Sequence, residues 1–259
     1  MFKPLVIPSP IVFYTFVPYI KLFYMKFGVV VFPGSNCDDD MMHVLGTVIG
    51  ADVIKLWHKE TSLGGLTAKD CVILPGGFSY GDYLRAGAIA RYSPIMQSVI
   101  TFANNGGKVF GICNGFQILC ESGLLPGVLV RNQHQKFISK NIHLRVETTD
   151  SLLTGMCQKG QILKMPIAHA EGRYIPDENG LAALQDNDQI LFRYCTPEGK
   201  LFSENGSTDD IAGICNKGRN VFGMMPHPER ASEAVLGNTD GLILFQSLYS
   251  SVARLAQVQ

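Results

Sequence analysis

The sequence predicts an α/β protein with one open, doubly wound, mostly parallel sheet, to which antiparallel strands are added in the second half of the chain. Three observations predict it. Short continuous apolar runs end in Pro/Gly turns, as strands buried on both faces do. Stretches with helical spacing fall between them, and the connections are short.

The elements follow in order. Lys26–Phe32 (KFGVVVF) reads as a buried strand stopped by Pro33-Gly34-Ser35-Asn36. Residues Asp38 to Ile49 carry apolar side chains at helical spacing, with Asp38, Asp39 and Asp40 in the first turn, where they favour the helix dipole. Asp52–Trp57 is a second strand and Cys71–Leu74 a third, stopped by Pro75-Gly76-Gly77. A helix is expected from about Ala88 to Asn104, ended by Gly106-Gly107, and Lys108–Ile112 is a fourth buried strand, followed by a helix to about Glu121. Turn signals then recur (Pro197-Glu198-Gly199, Glu204-Asn205-Gly206, Lys217-Gly218-Arg219-Asn220), which places antiparallel strands between them. Thr239 to Leu255 closes the chain as an amphipathic helix with Leu242, Phe245, Leu248 and Val252 on its packing face.

Residues 25–259 are therefore expected to form a single domain, a length that one hydrophobic core can serve. Residues 1–24 are expected to lie outside it as an extension, with Met25 as the true start. They are apolar, but Pro4, Pro8, Pro10 and Pro18 break the run before it reaches the ~20 residues of a membrane span. No small-x-small cleavage site precedes Met25, so a secretory signal is disfavoured. The formal net charge is zero, 17% of residues are charged and no long block of Lys or Arg occurs, which disfavours nucleic-acid binding through a basic face. Seven cysteines at irregular spacing, without a C-x-x-C pair, argue against both a disulfide framework and a structural zinc site. A reducing, cytoplasmic setting is expected.

The chemistry is concentrated in three places. Gly111-Ile112-Cys113-Asn114-Gly115 joins a strand to a helix, a turn that holds a nucleophile clear of the backbone. The helix N-terminus there offers N–H groups and the positive end of a dipole to a thiolate or an oxyanion. Late in the chain, Met225-Pro226-His227-Pro228-Glu229-Arg230 follows the strand Val221–Met224. In an extended segment His227 and Glu229 would point to one side, giving Cys113 a base and the base an orienting carboxylate. The third place is Gly76-Gly77-Phe78, at the carboxyl end of a strand, the edge at which open α/β sheets bind substrate. No G-x-x-x-x-G-K or G-x-G-x-x-G sequence occurs, so the usual phosphate cradles are missing.

Together these residues resemble the class I glutamine amidotransferases, over Met25 to Arg254: a P-G-G loop, a G-x-C-x-G-x-Q elbow from Gly111 to Gln117, and H-P-E near the end, in that order. The resemblance implies a flavodoxin-like sheet and a glutaminase in which Cys113 attacks the glutamine carboxamide. His227 would protonate the leaving ammonia, Glu229 would orient it, and the N–H groups of Gly77 and Asn114 would hold the oxyanion. Gly76, Phe78 and Gln117 would complete the substrate site.

A narrower resemblance rests on Phe32–Asp38 (FPGSNCD), Gly76–Gly87 (GGFSYGDYLRAG) and Ala168–Tyr174 (AHAEGRY). These segments are similar to those of the glutaminase subunits of phosphoribosylformylglycinamidine synthases, which use glutamine and ATP in purine biosynthesis; Phe116 and the extension depart from that pattern. This resemblance implies a large synthase subunit and a small accessory subunit as partners. ATP and Mg would sit on the synthase, with no cofactor, metal, nucleic acid or membrane contact in this chain. It also places His169 in the wall of the glutamine pocket, while Arg230 would meet either the glutamine carboxylate or the partner surface. A related hydrolase would differ in acting on peptides or folate polyglutamates without a partner.

Overall fold

The computed structural model describes residues 25–257, with side chains to Ser251. The expectations for residues 1–24 and for the side chain of Val252 lie outside the described residues. Nine strands form one sheet in the order β2-β1-β3-β4-β11-β10-β9-β6-β7. Its parallel half comprises β1 (Lys26–Val31), β2 (Asp52–Trp57), β3 (Cys71–Leu74), β4 (Lys108–Ile112) and β11 (Val221–Met224). Read across, these five give the 2-1-3-4-5 sequence of a flavodoxin-like sheet. The antiparallel half adds β10 (Ile211–Cys215), β9 (Ile190–Cys195), β6 (Ile138–Val146) and β7 (Ile162–His169). A separate antiparallel pair joins β5 (Val128–Val130) to β8 (Arg173–Ile175).

The buried strands carry apolar side chains on both faces because helices cover both. Alternation along β4 shows this. The ring of Phe110 lies 6.3 Å from that of Phe245 in α5 (Leu242–Gln257). Its neighbour Gly111 faces the other way, toward Gly115 and Leu119 of α3 (Asn114–Glu121). Here two glycines are required by contact. A Cβ on Gly115 would stand 1.8 Å from the carbonyl oxygen of Leu74, and one on Gly111 would stand 2.5 Å from that of Gly115. The first turn of α3 thus lies directly on the ends of β3 and β4.

Three helices differ from their sequence signals, each for a local reason. The helix expected from Ala88 is divided. A short 3₁₀ turn covers Ala90–Tyr92, Ser93 is extended, and α2 runs from Pro94 to Asn104, because a residue before proline resists the helical region. The first helix is α-helical over Asp38–His43 (α1) and continues as a π-turn over Val44–Val48 before Gly50 ends it in the left-handed region. Helix α5 begins at Leu242, not Thr239, because the N–H of Leu242 closes a tight turn on the carbonyl of Thr239 at 3.1 Å in place of a helical bond one residue further back. A short helix α4 (Gly180–Asp186) completes the fold. Among the described residues, no helix is long and apolar enough to cross a membrane.

The contact at Gly115 gives a direct test. Gly115→Ala should destabilise the fold by about 3 kcal/mol or more, the upper end for overpacking, since the clash is with backbone. By contrast, a Cβ on helical Gly46 meets only Val53 Cγ2 at 3.8 Å. Gly46→Ala should therefore stay within about 1 kcal/mol of the parent. Urea midpoints of the two variants provide the comparison.

Candidate active site

The parallel strands end on one edge, and the chain segments leaving it meet there. Cys113 closes β4 in the left-handed region, at φ 51° and ψ −107°, a strained backbone for any residue but glycine. The strain is held from both sides. Its N–H donates to the carbonyl of Met224 at 2.8 Å, and its own carbonyl accepts from Phe116 and Gln117 at 3.0 and 3.2 Å. The side chain is thereby kept on the sheet edge, 5% exposed, with Sγ 3.9 Å from the carbonyl oxygen of Ala168. As the first residue of α3, Asn114 has an N–H without an intrahelical partner.

His227 leaves β11 and is fixed by its N–H, which donates to the carbonyl of Pro166 at 2.9 Å. Its Nδ1 meets Glu229 Oε1 at 2.6 Å, and both side chains are buried. The pairing expected of an extended H-P-E segment is present, but the backbone differs: Pro228–Ala231 is a 3₁₀ turn, proline occupying its first position. Burial opposes a charge on His227. The carboxylate of Glu229, with the thiols of Cys113 and Cys37, outweighs it and holds the imidazole well above the ordinary histidine range. His227 Nε2 and Glu229 Oε2 are buried without hydrogen-bond partners among the described residues.

The loop after β3 forms the opposite wall. Gly76 packs on the imidazole, since a Cβ there would come 2.7 Å from His227 Cε1. Gly77 takes φ +135° against Asn36, and Phe78 is half-exposed at the mouth. Asn114 ties this loop to the elbow. Its Oδ1 accepts from the N–H of Ser79 at 3.2 Å, and its Nδ2 donates to Asp82 at 3.2 Å and to Gln117 at 2.9 Å. Gln117 in turn donates to the carbonyl of Glu171 at 2.6 Å.

Two adjoining cavities share Gly77, Phe78, Cys113 and Ala168. The larger, about 220 Å³, is also lined by Asp82, Gln117, Arg131, His169 and Glu171. The smaller, about 120 Å³, is lined by Cys37, His227 and Arg230. Arg230 is held there by Asp40 at 3.2 Å and by Cys37 Sγ at 3.1 Å. The structure thus gathers all the sequence-derived site residues on one edge, and Cys37, Asp82 and Glu171, from the three segments that carry the narrower resemblance, join them together with Arg131. For Cys37 a signal existed, the turn directly after β1, which ends on this same edge. Arg131 carried none.

His169 is a buried wall residue. Its Nδ1 lies 3.1 Å from Asn132 Oδ1, and the ring packs so closely on Gly172 that no Cβ would fit there. Burial, then the charge of His227, push it down to about 4.

A strained cysteine beside a buried His–Glu pair, on the carboxyl edge of this sheet, defines a class I glutamine amidotransferase. The family model described as the CobB/CobQ-like glutamine amidotransferase domain matches residues 25–241, and the chain belongs to that family. Within it the relatives are specific. Phosphoribosylformylglycinamidine synthase subunit PurQ of Koribacter versatilis is 55% identical over 89% of this chain and all of its own length. The PurQ of Nostoc sp. is 54% identical over 90% and 100%. A chain of the solved structure of PurLQS from Thermotoga maritima superposes with a TM-score of 0.78, at 40% identity, over 92% of this chain and 100% of that one. The chain is a member of the PurQ family.

The state of His169 is testable. The unfolded chain takes up a proton near pH 6.5, whereas the folded chain does not until about pH 4. This contribution to stability is complete above pH 6.5 and is lost as the pH falls toward 4, by up to about 3 kcal/mol. Its imidazole NMR signals should stay unmoved from pH 8 to 5, while the melting temperature declines below pH 6.5.

Proposed function

We propose that this chain is the glutaminase subunit of a phosphoribosylformylglycinamidine synthase. It hydrolyses glutamine and passes the ammonia to a synthase that makes formylglycinamidine ribonucleotide from formylglycinamide ribonucleotide. The observation that carries this reading is the Cys113 thiol, held beside the buried His227–Glu229 pair where the two cavities meet.

Glutamine enters the larger cavity with its carboxamide toward Cys113. At the far end Arg131 suits the α-carboxylate, and Asp82 and Glu171 suit the α-ammonium. Burial, then the charge of Glu171, raise Asp82 to about 6, so a ligand cation between the two carboxylates relieves their mutual repulsion. With the proton held on His227, whose imidazole stays well above the ordinary histidine range, the Cys113 sulfur attacks the carboxamide carbon. The N–H groups of Gly77 and Asn114 face the oxyanion. His227 then delivers the proton to the departing nitrogen, and ammonia leaves a γ-glutamyl thioester on Cys113. Water, deprotonated by His227, hydrolyses it to glutamate and restores the thiol. Glu229 keeps the imidazole oriented throughout.

No step calls for a cofactor in this chain. ATP and Mg belong to the large synthase subunit, with a small accessory subunit completing an assembly of the PurLQS kind. Seven free cysteines suit a cytoplasmic setting.

The test separates making ammonia from using it. In the reconstituted complex, Cys113→Ala should reduce glutamine-dependent amidine formation by several orders of magnitude, while ammonium salt above neutral pH still supports product. His227→Ala should behave likewise, and Glu229→Gln should be milder. Loss of both activities from an assembled Cys113→Ala complex would overturn the division of labour.

A further inference from the structure

We propose that Cys37, His227 and Glu229 form a binding site for a thiophilic divalent cation of the zinc type, whose occupation switches the glutaminase off. One ligand atom from each residue, a sulfur, an imidazole nitrogen and a carboxylate oxygen, lies within 4.8 Å of the other two. Among the described residues, this is the group of three His, Cys, Asp or Glu side chains brought so close. All three are nearly inaccessible, at 2%, 2% and 1% exposure. Tetrahedral zinc, with bonds of about 2.3 Å to sulfur and about 2.0 Å to nitrogen or oxygen, needs ligand atoms roughly 3.3–3.5 Å apart. The widest separation has to close by about 1 Å and the His227–Glu229 pair, now 2.6 Å apart, to open by about 0.7 Å, both within the reach of side-chain rotation.

The surroundings favour a ligand there. Glu229 Oε2 is a buried acceptor without a partner among the described residues, an arrangement that costs free energy unless something fills it. Cys37 is not in an apolar niche. Its sulfur lies 3.1 Å from the Arg230 guanidinium and 3.8 Å from Asn36 Oδ1, and Gly76, lacking a Cβ, lets sulfur and imidazole approach. The charges also balance. A Cys37 thiolate and the Glu229 carboxylate neutralise a dication around a neutral imidazole, and the nearby Arg230 is already paired with Asp40 at 3.2 Å. Entry is through the 120 Å³ cavity that Cys37, Cys113 and His227 line, room enough for a water as the fourth ligand.

Binding would displace the proton shared by His227 and Glu229. The imidazole would then be unable to accept one from Cys113. This inhibitory consequence rests on the function proposed above; the binding itself does not.

The experiment uses the full chain, reduced and stripped of metal. Zn²⁺ is titrated against a chromophoric chelator, and Co²⁺ is added as a spectroscopic substitute. One Zn²⁺ per chain is expected, with a near-ultraviolet sulfur-to-cobalt band for Co²⁺. Cys113→Ala should keep the affinity within about threefold, because the nucleophile is dispensable for binding. Cys37→Ser and Cys37→Ala should each weaken it at least tenfold and abolish the band; two replacements of different polarity guard against a folding defect in one, which circular dichroism checks. In the complex, Zn²⁺ should suppress the glutamine-dependent and spare the ammonium-dependent activity, and Cys37→Ser should need at least tenfold more. Absence of tight binding to the parent chain would overturn the site. So would binding that survives Cys37→Ser but is lost in Cys113→Ala. Were binding to follow the expected pattern in a chain that never hydrolyses glutamine, the metal site would stand and the functional reading would fall.

Discussion

The position of Cys113 depends on how closely α3 can approach the ends of β3 and β4. At Gly115 the helix backbone touches the carbonyl of Leu74, and at Gly111 the strand backbone touches Gly115. Any side chain at either place would lift α3 and relax the left-handed turn between them. The strain at Cys113 is thus maintained by backbone packing on one side and by hydrogen bonds to Met224, Phe116 and Gln117 on the other. Strain of this kind, of the order of 1–3 kcal/mol, persists where the surrounding structure over-determines it. The apolar core of β1, β3, β4 and β11 beneath supplies that rigidity.

On this base the site sets a buried charge pair. A carboxylate taken out of water is costly unless a partner and further hydrogen bonds compensate it. Glu229 has His227 at 2.6 Å, but its second oxygen is unmatched. The pair is therefore better suited to holding and releasing a proton than to stabilising the fold. The same shortage of partners makes the pocket receptive to a soft cation beside Cys37.

The substrate wall is joined to the nucleophile by amide side chains. Asn114 reaches the loop after β3 through Ser79 and Asp82, and Gln117 reaches the Glu171 carbonyl after β7. Two residues of the first turn of α3 thus hold both sides of the larger cavity in register with Cys113. Coupled amide networks of this kind favour one arrangement because each half-made alternative leaves a buried polar group unpaired.

Local chemistry is what a sequence states openly, and here it stated much. Apolar runs ending in Pro- or Gly-containing turns marked β1, β3, β4 and β11. Gly-x-Cys-x-Gly marked the elbow, and His-Pro-Glu its activating pair, because each rests on residues within a few positions of one another. What happens at a distance was hidden. The division of the helix at Pro94 was legible in principle, whereas the π-turn after α1 and the 3₁₀ turn at Pro228 were not. The antiparallel order β10-β9-β6-β7 came from pairing across the sheet. Cys37 read as another buried cysteine until β1 was placed beside β3 and β3 beside β4, which sets its sulfur beside Arg230 and within 4.8 Å of its acceptor partners. Arg131 and Glu171 met only because β5 pairs with β8 and β7 ends above α3. Residue type and short spacing fixed the nucleophile and its base; the walls of the site, drawn from strands far apart in the chain, exist only once the sheet orders them.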